Sequence, residues 1–292
     1  MNSSAFSRVS EYLARRDDAE GDVAPAMRSS ILPGTNDEVV LLVHGLTASP
    51  LAWSAIAAAV NARGSTVILV RLPLHGHVDR LTRVLEKFSA DCVTSDIHEL
   101  LDVISALDAR VTFAGHSLGG TLAIHAAAHS QHVDRIVAIA PFLGISFLPH
   151  EIHPPLLRAM RVLPNIFLWW DPVLREKQMP PHGYPRYPLC ALYTGMCIAE
   201  DVYREAGAGT SAREIDIVLN LGESSVNNRT VVRLVERWRA AGSSVALHRL
   251  SGLPRSHDII EPERSFSARA FPALVDIIVG EHAPVDRLHP LM

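Results

Sequence analysis

The chain has 292 residues, 48% of them hydrophobic, which suits one soluble globular domain, or one domain with an insertion, around a sizeable core. A formal net charge of -4, with 27 basic residues scattered along the chain, excludes a nucleic-acid or anionic-membrane footprint. No stretch reaches 18 apolar residues and the N-terminus lacks a secretory apolar core, so a cytoplasmic protein without an integral membrane segment is expected.

Cys92, Cys190 and Cys197 show no C-x-x-C spacing, so neither a disulfide framework nor a zinc knuckle is indicated, and they read as core residues. Residues 1–28 read as a helix from Ser7 to Arg16 followed by a polar connector. Ser29–Leu32 and Val39–His44 read as strands, joined by a turn whose chemistry comes from Pro33, Gly34, Asn36 and Asp37. Val39–Val43 is apolar without alternation, the pattern of a strand covered on both faces. It runs into His44-Gly45-Leu46-Thr47, where Gly45 lets the backbone turn back and present the N–H of Leu46. Pro50, then Trp53, Ile56, Ala57 and Val60 at helical spacing, give a helix ending at Gly64, and Thr66–Leu72 is the next strand. A strand, helix and strand in this order imply a parallel sheet.

The following loop carries His75-Gly76-His77-Val78-Asp79. H-x-H-x-D after a strand also opens the zinc site of metallo-β-lactamase-type enzymes, but Arg80 stands where that pattern continues with histidine, and a cation there opposes a second metal. The loop therefore reads as a polar segment fixed by its own hydrogen bonds, with no metal. A long amphipathic helix from Ser89 to Leu107 leads to Val111–Ala114, a short buried strand, and then to Gly115-His116-Ser117-Leu118-Gly119-Gly120 and an Ala-rich helix to Ser130.

G-x-S-x-G between a strand and a helix holds its serine on a sharp turn above the sheet, with glycines where side chains would collide. Ser117 is then a candidate nucleophile, and the N–H of Leu118 at the helix start faces whatever it attacks. Arg135–Ala140 is another strand. From 145 to 212 the composition shifts to prolines and aromatics, among them Phe147, Trp169, Trp170 and Tyr187, which reads as an inserted, mainly helical cap with Trp169 and Trp170 toward substrate. The β-α alternation resumes with a strand at 215–220, a helix at 228–241, a strand at 244–250, and a helix at 271–279.

Serine needs a base, and the base needs a group to hold its tautomer. Of the chain's 15 histidines, His257 is the one in the loop that directly follows the last strand, downstream of both the serine and an acid. Glu223 is the one carboxylate in the loop after the 215–220 strand, while Asp258 is too near His257 in sequence to reach its Nδ1.

With these residues, the chain resembles the α/β-hydrolase superfamily over about 29–280, and within it bacterial carboxylesterase-like and monoacylglycerol-lipase-like serine hydrolases. The matching pieces are Leu-Leu-Val-His-Gly-Leu-Thr-Ala-Ser-Pro (41–50), Arg-Leu-Pro-Leu-His-Gly-His (71–77), Gly-His-Ser-Leu-Gly-Gly (115–120) and His-Asp-Ile-Ile (257–260). One departure stands out: Glu223 occupies the place where the superfamily usually has aspartate, and glutamate is a known alternative there.

The resemblance implies an α/β fold with a mostly parallel sheet, helices on both faces, a core at 29–144 and 213–292, and the cap at 145–212. It implies hydrolysis of a small-molecule ester with an apolar acyl or alcohol part by Ser117, His257 and Glu223, with the N–H groups of Leu46 and Leu118 as oxyanion hole and no cofactor. Thioester or C–C bond hydrolysis and acyl transfer would use the same residues. A non-catalytic ligand-binding member of the fold is the reading from a different class, and the complete set of Ser117, Glu223 and His257 argues against it.

Overall fold

The structure, a computed structural model, describes residues 3–253, 255–263 and 268–281. Helix α1 (Ser3–Asp18) turns Ala5, Val9 and Leu13 inward at helical spacing. It is longer than the Ser7–Arg16 helix expected, and ion pairs hold its end: Arg16 with Asp96, and Asp17 with Arg71 at 2.8 Å. Arg71 is fully buried and also meets Glu20 at 3.0 Å, so removing one partner would strand a buried charge.

The strands and helices then follow in chain order. The first are β1 (Ser30–Leu32), β2 (Glu38–Val43), α2 (Ser54–Asn61), β3 (Thr66–Val70) and α3 (Ala90–Ser105). Next come β4 (Arg110–His116), α4 (Leu118–His129) and β5 (Arg135–Ile139). The stretch 145–212 contains α5 (His153–Met160), β6 (Phe167–Trp169), β7 (Arg186–Pro188) and α6 (Leu189–Glu205), and the described chain closes with β8 (Glu214–Asn220), α7 (Asn228–Ala240), β9 (Val245–Leu250) and α8 (Phe271–Ile278). Side-chain caps start two helices where sequence placed them: Ser89 accepts from the N–H of Cys92 and Asn227 from that of Thr230. The helix expected from Pro50 begins instead as a 3-10 turn, Pro50–Trp53, before α2.

Seven strands form one sheet in the order β1-β3-β2-β4-β5-β8-β9. β1 runs antiparallel to β3 and every other pairing is parallel. Because side chains alternate across the sheet, Val39, Leu41 and Val43 join one core with α1, α3, α4, α6 and α7, while Val40 and Leu42 join the other with α2 and α8. Both faces are thus covered, as the apolar strands required. No helix among the described residues is long and apolar enough to cross a membrane.

Between β5 and β8 the chain makes α5, a two-stranded antiparallel ribbon of β6 and β7, and α6. α6 packs on α4 and α3, and its Ala191, Ile198, Ala199 and Val202 belong to the main core. The more open part is the stretch before it, where Phe147, Val162, Ile166 and Val173 are exposed.

The cysteines differ from expectation. Cys92 is exposed and Cys190 and Cys197 are half-buried, all three free. In α3 the inward stripe is Val93, Ile97, Leu100, Leu101 and Ile104, and Cys92 lies off it.

Candidate active site

Ser117 sits between β4 and α4 with φ 56 and ψ -117, a conformation that costs a non-glycine residue on the order of 1–3 kcal/mol. The turn is held from several sides. The Ser117 N–H donates to Ile139 O at 3.0 Å, and its carbonyl accepts from the N–H groups of Thr121 at 3.0 Å and Phe142 at 3.1 Å. A Cβ on Gly115 would lie 2.1 Å from Gly119 O, and one on Gly119 would lie 2.2 Å from Val43 O, so backbone contacts forbid any side chain at either position.

Gly45 has a different reason from the one expected. The positive φ falls on Thr47, at 67, whereas a Cβ on Gly45 would come within 3.0 Å of Ser117 Cβ. The glycine therefore allows close approach of two loops, and Thr47 takes the unusual conformation. Three contacts hold Thr47: its N–H donates to His75 Nε2 at 3.1 Å, its carbonyl accepts from Tyr184 N–H at 2.7 Å, and its hydroxyl accepts from Trp170 Nε1 at 2.8 Å.

His75 and His44 are fully buried scaffolding for this loop. His75 Nδ1 donates to Pro73 O at 2.8 Å while Nε2 accepts from Thr47, and His44 Nδ1 donates to Gly45 O at 2.8 Å while Nε2 accepts from Leu72 N–H at 3.1 Å. Burial holds both neutral: His75 is pushed down to about 4 and His44 well below the usual histidine value. Of the remaining H-x-H-x-D loop, the His77 N–H donates to Tyr184 Oη at 2.9 Å, Asp79 accepts from Leu81 N–H at 2.9 Å, and Arg80 donates to the carbonyls of Gly183, Met179 and Pro180. Arg80 thus fastens the turn at 179–183 beside the site.

The structure brings His257 and Glu223 together from separate loops. His257 Nδ1 and Glu223 Oε2 are 2.7 Å apart, with the glutamate side chain fully buried and the histidine side chain 20% exposed. Glu223 Oε1 accepts from the N–H groups of Ser224 at 2.8 Å and Ser225 at 2.5 Å. Burial pushes this carboxyl up, but the bond and charge of His257 and the two N–H groups outweigh it, and the net shift is below the ordinary carboxylate value. For His257, burial favours the neutral ring, yet the Glu223 bond and charge, then the charge of Asp258, leave its pKa above the ordinary histidine value. His116 donates from Nε2 to His257 O at 2.9 Å, and burial first, then the nearby His257, brings His116 down to about 4.

Asn220, fully buried at the end of β8, ties the two loops together: its side-chain N–H donates to Ser256 O at 2.8 Å and its side-chain oxygen accepts from Gly222 N–H at 2.9 Å. It was missed because nothing in the sequence around 220 marks its contacts 36 residues away. A strand-end asparagine just before the acid loop was the one available signal.

Ser117 and His257 line one cavity of about 250 Å³ with Leu46, Thr47, Trp170, Met179, His182 and Arg255. Leu118 is buried as the first residue of α4. Trp169 is not among the residues lining that cavity; the guanidinium groups of Arg186 and Arg175 lie over its ring. A larger cavity, about 540 Å³, lies behind Glu223 among Phe147, Val226 and Arg233, and neither Ser117 nor His257 lines it. The chemistry available beside Ser117 is nucleophilic: a hydroxyl on a strained turn, an imidazole oriented by a buried carboxylate, and a helix N-terminus beneath the serine.

Comparison with known proteins agrees with this fold. Mouse protein phosphatase methylesterase 1 is 34% identical over 96 residues, which cover 32% of this chain and 25% of that protein, so the chain spans about a quarter of that relative's length. Among solved structures, one of the metagenome-derived lipolytic enzymes LipS and LipT superposes with a TM-score of 0.67 at 19% identity, covering 87% of this chain and 99% of the other. The monoacylglycerol lipase of Paleococcus ferrophilus superposes with a TM-score of 0.66 at 20% identity, covering 87% and 98%. At such identities the likeness is one of fold. The family pattern described as "Alpha/beta hydrolase family" matches residues 40–287, spanning every strand of the sheet but β1 and all but the first two residues of β2, together with the serine turn, and the chain belongs to that family.

Proposed function

We propose that the protein hydrolyses carboxylic esters through an acyl-enzyme formed on Ser117. The observation that carries this reading is the 2.7 Å contact of His257 Nδ1 with the buried Glu223 carboxylate, in a cavity that His257 shares with Ser117. With Nδ1–H donated to Glu223, the neutral ring keeps its lone pair on Nε2. His257 takes the Ser117 proton there as the hydroxyl attacks the ester carbonyl, then returns it to the departing alcohol. Water repeats the exchange: His257 takes its proton, the hydroxide adds to the acyl carbonyl, and Ser117 leaves with the proton back on its oxygen. Glu223 holds the tautomer and stabilises the imidazolium, and the N–H groups of Leu46 and Leu118 stabilise the oxyanion. This chemistry requires no metal or cofactor.

The stretch from 145 to the start of α6 acts as a cap in this reading, with Trp170 against the substrate. A cavity of about 250 Å³ falls below the 300–1,000 Å³ typical of drug-sized ligands, which favours an ester whose group beside Ser117 is small. The partial likeness to a protein phosphatase methylesterase supports a small alcohol in the same way. Fluorophosphonate labelling followed by p-nitrophenyl esters of increasing chain length tests the reading. Labelling and fastest turnover on the short esters are expected, and a chain that neither labels nor hydrolyses any ester of the panel contradicts the proposal.

A further inference from the structure

Away from Ser117, a second group of side chains converges where the stretch after β5 begins. His150, in the 3-10 turn His150–Ile152, and His153, which opens α5, lie one turn apart opposite Glu200 of α6. One ligand-type atom from each residue lies within 4.8 Å of the other two. The rings meet Nδ1 to Nδ1 at 3.2 Å, and His150 Nε2 is 3.7 Å from Glu200 Oε2. His153 is only 2% exposed, and Gly144 packs so closely that a Cβ there would lie 2.1 Å from its Cε1. His153 Nε2 and Glu200 Oε2 have no hydrogen-bond partner among the described residues.

Hydrogen bonding alone satisfies this group poorly. Two neutral imidazoles can share one proton between their Nδ1 atoms, but Glu200 Oε2 then stays unpaired, 3.7 Å from His150 Nε2 and beyond hydrogen-bond reach. A divalent cation would take a lone pair from each of the three. The 3.2 Å between the ring nitrogens is close to the roughly 3.3 Å separating neighbouring ligands of tetrahedral zinc with Zn–N bonds of about 2.0–2.1 Å. Two imidazoles and one carboxylate suit zinc and its first-row neighbours, whereas magnesium and calcium prefer oxygen donors throughout.

We propose that His150, His153 and Glu200 form a binding site for zinc or a chemically similar divalent cation, with its fourth position left to water. Its place gives it a structural role. Just before it, the chain is stitched to the loop that carries Glu223: Asn227 N–H donates to Gly144 O at 2.9 Å, Ser146 N–H to Ser225 O at 3.1 Å, and Asn227 Nδ2 to Leu148 O at 2.7 Å. A cation here clamps this root to α6, which packs on α4. No step of ester hydrolysis passes through it.

The test is calorimetric titration of zinc ion into the chelator-stripped full chain, with melting temperature followed in parallel. One equivalent is expected to bind and raise the melting temperature, with magnesium doing neither. Glu200→Gln, which keeps the side-chain size, and His150→Gln should each weaken zinc affinity at least tenfold and abolish the thermal shift. His125→Gln, whose ring lies against those of His98 and His129 away from this site, should change neither. No zinc binding to the wild-type chain overturns the proposal, and so does binding that is undiminished in Glu200→Gln and His150→Gln.

Discussion

Glu223 uses both carboxylate oxygens, Oε1 on the N–H groups of Ser224 and Ser225 and Oε2 on His257 Nδ1, so its length and its charge can be tested separately. Glu223→Gln keeps the length but can turn an amide donor toward the ring and favour the wrong tautomer, and the rate should fall by about 10³ to 10⁴. Glu223→Asp restores the charge at some cost in reach, with an expected loss of about tenfold to a hundredfold. The pH profile gives an independent readout. His257 must be neutral to act as base, so activity falls as pH drops through its pKa, which lies above the ordinary value of 6.5. Since burial opposes the charged ring and Glu223 is the main group favouring it, the acid limb in Glu223→Gln should move to lower pH. Retained activity with an unmoved limb would show that Glu223 does not act on His257. The two tryptophans separate in the same manner. Trp170 lines the cavity and bonds Thr47, whereas Trp169 lies beneath Arg186 and Arg175, so Trp170→Ala should shift chain-length preference and Trp169→Ala should leave it unchanged. An equal shift from both substitutions on the ester panel contradicts this division.

At the scale of elements, the turn from β4 into α4 depends on backbone packing that no rotamer change can relieve. In Gly119→Ala the new methyl would sit 2.2 Å from Val43 O, so β2 and α4 must separate. A loss on the order of 3 kcal/mol is expected, read as a drop in melting temperature of roughly 6–12 °C. An unchanged melting temperature would mean that the two elements are not in contact. The same turn explains what the sequence made legible. Uninterrupted apolar runs such as Val39–Val43 marked strands covered on both faces, and G-x-S-x-G between a strand and an Ala-rich helix marked the serine turn. Contacts between distant segments left no such trace. His75 reaches Thr47 across 28 positions, and Asn220 reaches Ser256 across 36, so local pattern placed these residues in loops without disclosing what they hold. Strands of three residues, as in β6 and β7, are too short to show a period, and nothing local shows that Gly45 is required for its closeness to Ser117 or that the positive φ of this loop lies on Thr47.

For the whole molecule, neutral histidines buried among the loops at the strand ends tie stability to pH. His44, His75 and His116 have pKa values below that of an unfolded histidine, His75 and His116 at about 4. The unfolded chain therefore binds protons first as pH falls below about 6.5, and stability is lost progressively between there and about 4. The melting temperature should decline across that window, and His75→Asn, less stable near neutrality, should decline less steeply because one proton site is gone. A wild-type melting temperature that stays flat from pH 6.5 to 4 would contradict this assignment. The central claim, that Ser117 is the nucleophile of an ester hydrolase, is tested most directly by trapping the acyl-enzyme from p-nitrophenyl acetate at acid pH and mapping the acetylated peptide. The account predicts acetyl on the peptide containing Ser117, and a Ser117→Ala protein that folds, forms no adduct and loses on the order of 10⁶ in turnover. Acetylation elsewhere, or hydrolysis by Ser117→Ala near the wild-type rate, would contradict it.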